Sequence, residues 1–217
     1  VYAPVRPDLS AVNTRRGDYV TAESEAAMSK PFITGCAVEH YKKLAHCKRA
    51  IVFCVSIRHA ERVAQEFVAA GFKAAHIDGT MGDYMRVATL KAFEGCTVPI
   101  LTTVDLCTEG LDVPGIEAAI LLRPTMSVIV HVQQMGRAMR AAPGKDRAII
   151  IDACGNVHRW GLPDESREWS LDGVEQAPKD SVPRVIVCQK CFACTSSMPC
   201  PRCGYENETR QRSIKQV

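Results

Sequence analysis

The sequence contains no run of eighteen or more apolar residues, so it offers no membrane-spanning helix. Its first residues, VYAPVRPDLS, lack the charged start and apolar stretch of a secretory leader. They begin at Val rather than Met, as though cut from something longer. No excess of one charge is present. The net charge is +3, with 24% charged and 47% hydrophobic residues, which fits a globular chain and neither a disordered nor a grossly basic one. An even set of cysteines is missing too. Of eleven cysteines, six (Cys36, Cys47, Cys54, Cys96, Cys107 and Cys154) are scattered, several inside apolar runs, as small hydrophobes would be. The other five crowd into residues 188–203. That distribution argues against a disulfide framework. It points to a reducing, cytoplasmic compartment and one metal site.

A further absence is local. Between Ser127 and Arg140, SVIVHVQQMGRAMR, there is no acidic residue. Read as a helix, Val128, Ile129, Val132, Met135 and Met139 fall on one side and are expected to pack on a sheet. Gln133, Arg137 and Arg140, at i, i+4 and i+7, share another side. A helix face in water usually balances its bases with acids four residues away. Two aligned arginines and a glutamine without such partners are expected to serve an anion outside the helix. Ordinary surface arginines are the alternative.

At 217 residues the chain fits one domain and a smaller appendage. Residues 1–30, broken by Pro4, Pro7 and Gly17, read as an irregular connecting arm. Ala37–Cys47 has apolar residues at helical spacing. Ile51–Val55 is a short β-branched run, hence a buried strand. Ser56 is placed to cap a helix over Ile57–Ala70, with a stripe of Ala60, Val63, Ala64, Phe67 and Val68 and a stop at Gly71. Ala74–Ile77 is a second strand and Tyr84–Phe93 a helix capped by Asp83 and closed by Gly95. Ile100–Thr103, Ala118–Leu122 and Ala148–Ile151 complete five strands. Strand–helix alternation with apolar strands predicts an α/β fold with a parallel sheet covered by helices on both faces. Ligands of such sheets gather beyond the carboxyl ends of the strands. Ser56, Gly79, Thr102, Thr103 and Arg123 stand there and could meet phosphates, although Ser, Thr and Gly are also common loop residues. His59, His76 and His131 lack ligand spacing and read as packing or solvent-facing residues.

The motifs IVFCVSIRHAERVA, HIDGTM, ILTTVDLCTEGLDVPG and QQMGRAMR, in this order over about residues 48–152, resemble the second RecA-like lobe of superfamily 2 DEAD/DEAH-type helicases and translocases. The last fits Q-x-x-G-R-x-x-R at Gln133, Gly136, Arg137 and Arg140. The tail IIIDACGNVHRWGLPDESREWSLDG, with the cysteines after it, is similar to RadD-type DNA repair helicases. The resemblance implies that Arg137 and Arg140 act as arginine fingers on ATP held by another lobe, with Gln133 beside them. It implies that Gly110 and Asp112 approach the nucleotide, and that Ser56, Gly79 and Thr103 touch the nucleic-acid backbone. A guanidinium suits the first role because it is permanently charged and presents a planar fork to phosphate oxygens.

The chain has no G-x-x-x-x-G-K-[ST] and no DEAD-like tetrad. The cradle for ATP and Mg²⁺ is therefore expected in an N-terminal RecA-like lobe of the same protein. This chain alone, lacking Walker A and B, is expected to be inactive. Residues 161–183 turn acidic and proline-bearing and read as a linker, with Trp160, Trp169 and Leu171 as anchors. Beyond it Cys188/Cys191 and Cys200/Cys203 form two C-x-x-C pairs. Such spacing suits tetrahedral Zn²⁺ in a zinc ribbon over residues 184–217, following a RecA-like domain at 31–160. Cys194 is a spare, Cys191/Cys194 a rival pair, and redox thiols the alternative chemistry. Arg184, Lys190, Arg202, Arg210, Arg212 and Lys215 add basic charge near DNA phosphates, against Glu206 and Glu208. The resulting expectation is the C-terminal half of an ATP-dependent DNA helicase or translocase in repair or recombination. A nucleic-acid-binding module with a structural zinc ribbon and a restriction-type translocase motor are the rivals.

Overall fold

The computed structural model describes residues 1–104, 113, 115–167 and 185–208. Two short strands, β1 (Thr14–Arg15) and β2 (Asp18–Tyr19), form a hairpin. Its turn residues Arg16 and Gly17 both have positive φ, 53° and 82°, the combination a two-residue turn matching strand twist requires. Helices α1 (Thr21–Met28) and α2 (Pro31–Leu44) follow. Then the chain alternates through β3 (Ala50–Phe53), α3 (Ile57–Ala69), β4 (Ala74–Ile77), α4 (Asp83–Glu94) and β5 (Ile100–Thr103). Next come β6 (Ala118–Leu121), α5 (Val128–Met139), β7 (Ile149–Asp152) and α6 (Val157–Trp160). A last hairpin pairs β8 (Ile186–Val187) with β9 (Cys194–Thr195).

Strands β3 to β7 build one parallel sheet of order β4-β5-β3-β6-β7. All residues of β3, β5, β6 and β7 are buried, as covering on both faces demands. Helix α3 packs on β4 and β5, and α5 on β3, β6 and β7. Because every strand points the same way, the five carboxyl ends share one edge of the sheet. Among the described residues no helix is long and apolar enough to cross a membrane.

The structure corrects the reading of residues 1–30 as irregular. Besides the hairpin and α1, Tyr2 pairs with Ile151 of β7 on one side and with Ala193 on the other. Prolines at 4 and 7 hide this in the sequence, since they permit only a very short edge segment. Helix α2 begins at Pro31 rather than Ala37. Pro31 occupies the first turn, where its missing N–H costs nothing, and Ile33, Thr34, Ala37, His40 and Tyr41 form its buried face. Gly82, not Asp83, caps α4; Asp83 lies in its first turn and pairs with Arg86 at 2.8 Å.

The turn after β7 is fixed by a carboxylate that is fully buried. Asp152 Oδ1 accepts the N–H groups of Cys154 (3.0 Å) and Gly155 (2.9 Å), and Oδ2 accepts that of Val157 (2.7 Å). Asp152→Asn turns one acceptor into a donor facing an N–H. It is expected to lower unfolding free energy by about 1.5–3 kcal/mol, the value of a charged hydrogen bond, measured as the shift in the urea midpoint at constant m.

Candidate functional site

Two groupings of side chains were expected to carry chemistry, one along the carboxyl ends of the strands with α5, the other in the cysteine cluster. At the end of β3, Ser56 caps α3, its Oγ accepting from His59 N at 3.1 Å. The same hydroxyl donates to Glu25 Oε2 at 2.7 Å, so its proton is already committed to a carboxylate. Gly79, after β4, is exposed in a turn closed by Asp78, whose Oδ1 accepts from Thr80 N (2.7 Å) and Thr80 Oγ1 (2.6 Å). Arg123, after β6, is half-buried and donates to Val104 O at 3.0 Å, which ties the ends of β5 and β6 together.

Thr102 requires correction as a phosphate contact. Its side chain is fully buried and donates to Ala60 O of α3 at 2.9 Å, on the covered face of the sheet. Thr103 is fully buried as well, and its carbonyl accepts from Cys54 N at 2.7 Å. Strand period places alternate residues under helices, a register the hydroxyl count alone does not reveal. Gly110 and Asp112 lie outside the described residues.

Helix α5 is rotated from the expected face. Its buried residues are His131, Gln134, Met135 and Ala138, whereas Ile129 and Met139 are about half exposed, at 52% and 49%. Two polar side chains take the inner face. His131 Nε2 lies 3.3 Å from Gly161 O, a partner the local sequence cannot supply. Gln133 is exposed and Arg137 half-buried, one turn apart on the same side. The helix ends at Met139, and Arg140 turns to an extended backbone (φ −59°, ψ 135°). Lys145 Nζ fills the helix end, donating to Ala138 O (2.5 Å) and Arg140 O (2.6 Å). Arg140 therefore follows the helix instead of sharing its turn with Arg137.

The cysteine cluster is assembled by backbone turns. Cys188 follows β8, and Phe192 N donates to its carbonyl at 2.9 Å to close the first knuckle. Gly204 N closes the second by donating to Cys200 O at 2.8 Å, with Gly204 at φ 68°. The sulfurs of Cys188, Cys191, Cys200 and Cys203 all lie within 4.8 Å of one another. The Cys188–Cys203 and Cys191–Cys200 separations are 3.6 and 3.7 Å. Four thiolates around a zinc at about 2.3 Å stand about 3.8 Å apart, so the set fits a tetrahedral ion. Burial pushes the Cys188 thiol up, but the N–H groups of Cys191 and Lys190 outweigh it and bring the thiol down to about 6. Cys194 is outside the set; burial pushes its thiol up to about 12. Arg202, read as a DNA contact, lies over the Tyr2 ring at 4.8 Å. Arg184, Arg210, Arg212 and Lys215 lie outside the described residues.

Residues 36–142 match the helicase conserved C-terminal domain. This stretch of the chain is a helicase C-terminal domain. A 51.5 kDa protein of Lactococcus phage (isolate 7-9) is 33% identical over 213 residues, which are 96% of this chain and 47% of that protein. The ATP-dependent RNA helicase DBP3 of Ajellomyces capsulatus is 32% identical over 93 residues, 43% of this chain and 19% of that helicase. The chain thus spans less than half the length of either. In structure it is similar to the E. coli DEAD-box protein SrmB, solved with regulator of ribonuclease activity A. The TM-score is 0.50 and the identity 22%, over 58% of this chain and 72% of that one. That likeness shows the RecA-like fold of the helicase domain.

Sequence reasoning missed the residues that hold the site in place: Glu25 on Ser56, Lys145 on the end of α5, and Asn156. Asn156 Nδ2 donates to Arg123 O at 3.0 Å, and its Oδ1 accepts from Thr125 N at 3.1 Å. Asn after Gly in CGN is a turn signal, but not one that names a partner thirty-three residues away.

The buried histidines set a pH dependence. His59 is fully buried, its Nδ1 accepts from Val55 N at 3.3 Å, and burial lowers its pKa to about 4. Burial also lowers that of His131, against the opposing charge of Asp152. Below pH about 6.5 the unfolded chain takes up protons that the folded chain refuses until about pH 4. Stability is therefore expected to fall as pH drops from 6.5 to 4. Melting temperature against pH checks this. The fall is expected to be shallower in His59→Gln, whose amide oxygen can still accept from Val55.

Proposed function

We propose that the chain is the ATP-completing, nucleic-acid-gripping lobe of a helicase or translocase acting on DNA in repair or recombination. The observation that carries this reading is the placement of Gln133 and Arg137 on one side of α5, with Arg140 immediately beyond, inside a helicase C-terminal domain. A residue set of this composition serves a triphosphate held elsewhere, in an N-terminal RecA-like lobe that also supplies the Mg²⁺ site. Arg137 and Arg140 are the arginine fingers, Gln133 orients them, and Gly110 with Asp112 approach the nucleotide. Ser56, Gly79, Thr103 and Arg123 grip the nucleic acid, chiefly through backbone groups where side chains are buried. The likeness of residues 149–173 and the cysteines to RadD-type helicases supports DNA and repair, with the cytoplasm as the compartment. In the full-length protein, Arg137→Ala and Arg140→Ala are expected to lower kcat for DNA-stimulated ATP hydrolysis by on the order of 10³-fold, with ATP affinity little changed. Arg140→Lys is not expected to rescue, for an ammonium lacks the planar fork. Near-normal turnover in both alanine variants would make α5 an ordinary surface helix. Greater stimulation by RNA than by DNA would overturn the choice of nucleic acid.

Cys188, Cys191, Cys200 and Cys203 hold structural Zn²⁺ in the same reading, supported by their mutual sulfur distances. Four thiolates leave no open position, so the ion orders the knuckles and takes no part in hydrolysis. Elemental analysis is expected to find about one zinc per chain under reducing, chelator-free conditions. Cys200→Ser is expected to release it, whereas Cys194→Ser is expected to retain it. Zinc-free wild type would sink the assignment.

A further inference from the structure

Beyond the last sheet strand lies a cleft of about 670 Å³ that no helicase motif of the sequence reaches. Its floor is the turn Cys154–Gly155 at the carboxyl end of β7, and its walls include Arg6, Tyr19, His158 and Arg159. Gly155 has φ 79°, and a Cβ there would stand 3.4 Å from Arg6 Cγ, so bare backbone forms the floor. The amides of that turn are taken by Asp152, which leaves recognition to side chains. Arg6 and Arg159 are exposed. Arg6 has no salt bridge to a described residue. Arg159 reaches Tyr19 Oη at 3.4 Å, and Tyr19 keeps its own O–H to donate. Burial, followed by the nearby Arg6 charge, holds His158 below its ordinary range, so the positive charge of the cleft comes from the arginines. The one acid on its wall, Asp8, has its carboxylate turned onto Ser10 N at 3.0 Å.

We infer that this cleft is a phosphodiester-binding contact for a nucleic-acid strand, in which Arg6 and Arg159 grip a backbone phosphate past the β7 end of the sheet. The inference rests on the reading that nucleic acid crosses the carboxyl ends of the strands, and extends its path. From the end of β3 to that of β7 is two strand spacings, about 10 Å. Asn156 holds the loops after β6 and β7 as one piece, so Arg123 and the cleft keep a fixed separation. Phosphate contacts of this kind position a strand without reading its sequence.

The test is equilibrium binding of a fluorescein-labelled 20-nucleotide oligothymidylate to the full-length protein between 50 and 300 mM salt. Single-stranded binding loses about 0.7 in slope of log K against log salt for each phosphate contact removed. Arg6→Ala/Arg159→Ala is expected to weaken binding about tenfold at low salt and flatten the slope by about 1.4. Arg6→Lys/Arg159→Lys is expected to keep the slope. Circular dichroism and melting temperature confirm that both variants fold, and Arg6→Ala alone serves if the double variant does not. An unchanged affinity and slope in a folded alanine variant, with wild type binding the strand, would overturn the cleft while leaving the helicase reading intact. Failure of wild type to bind the strand at all would overturn both. Inorganic phosphate raising the melting temperature of wild type but not of the alanine variant, with strand binding unaltered, would assign the cleft to a free phosphate and equally overturn the inference.

Discussion

A knot of buried polar groups at the carboxyl ends of β6 and β7 decides where most of the surrounding side chains stand. Asp18 accepts the Thr125 hydroxyl at 3.0 Å and the Met126 N–H at 2.7 Å, and Thr125 Oγ1 in turn accepts from Ser127 N. Asn156 joins Thr125 to Arg123, Trp160 Nε1 donates to Thr125 O, and Asp152 folds the β7 turn over its own carboxylate. These bonds run through hairpin, strand-end loops, start of α5 and α6. Buried polar groups left unpaired are costly, so the network has one arrangement in which all its members are satisfied. The direction in which α5 leaves the sheet follows from it, and with it the side on which Gln133 and Arg137 emerge.

The N-terminal residues have a second organising role. Tyr2 N donates to Ile150 O and Tyr2 O accepts from Asp152 N, while Ala3 N donates to Phe192 O and Cys194 N to Val1 O. Three residues thus hydrogen-bond simultaneously to the sheet and to the cysteine-bearing hairpin. Arg202 closes over the Tyr2 ring from the second knuckle. The thiolate cluster is attached to the helicase domain by backbone ladders of defined register as well as by the chain leading to it.

Much of this was legible in the sequence for a physical reason: a strand buried on both faces must be apolar throughout, and each of IVF, AAIL and III declares itself so. Ser56 and Ser127 declare the starts of α3 and α5 by the same logic of capping, and both caps are formed. The paired C-x-x-C spacing was enough to select four sulfurs out of five. Long-range partners were not legible. The inner face of α5 was misjudged because His131 and Gln134, polar by type, are buried there, His131 against Gly161, thirty residues on. Thr102 was misplaced because strand alternation, not residue type, decides which hydroxyls reach solvent. The pairing of residue 2 with residues 151 and 193 has no local signal at all.

The two margins of the parallel sheet have unlike fates. That of β7 is sealed, since Tyr2 occupies it and is itself occupied on the far side by Ala193. The margin of β4 borders no further strand among the described residues, and its Ala74, Ala75 and His76 are half-buried. A bare row of amides and carbonyls is a template for another copy of the chain, and proteins blunt such rows by keeping them short and charged. Here the strand has four residues, and His76 stands between Glu61 at 3.6 Å and Asp78 at 3.7 Å. Resistance to edge-to-edge self-association therefore rests at one margin on backbone already paired, and at the other on brevity and carboxylates.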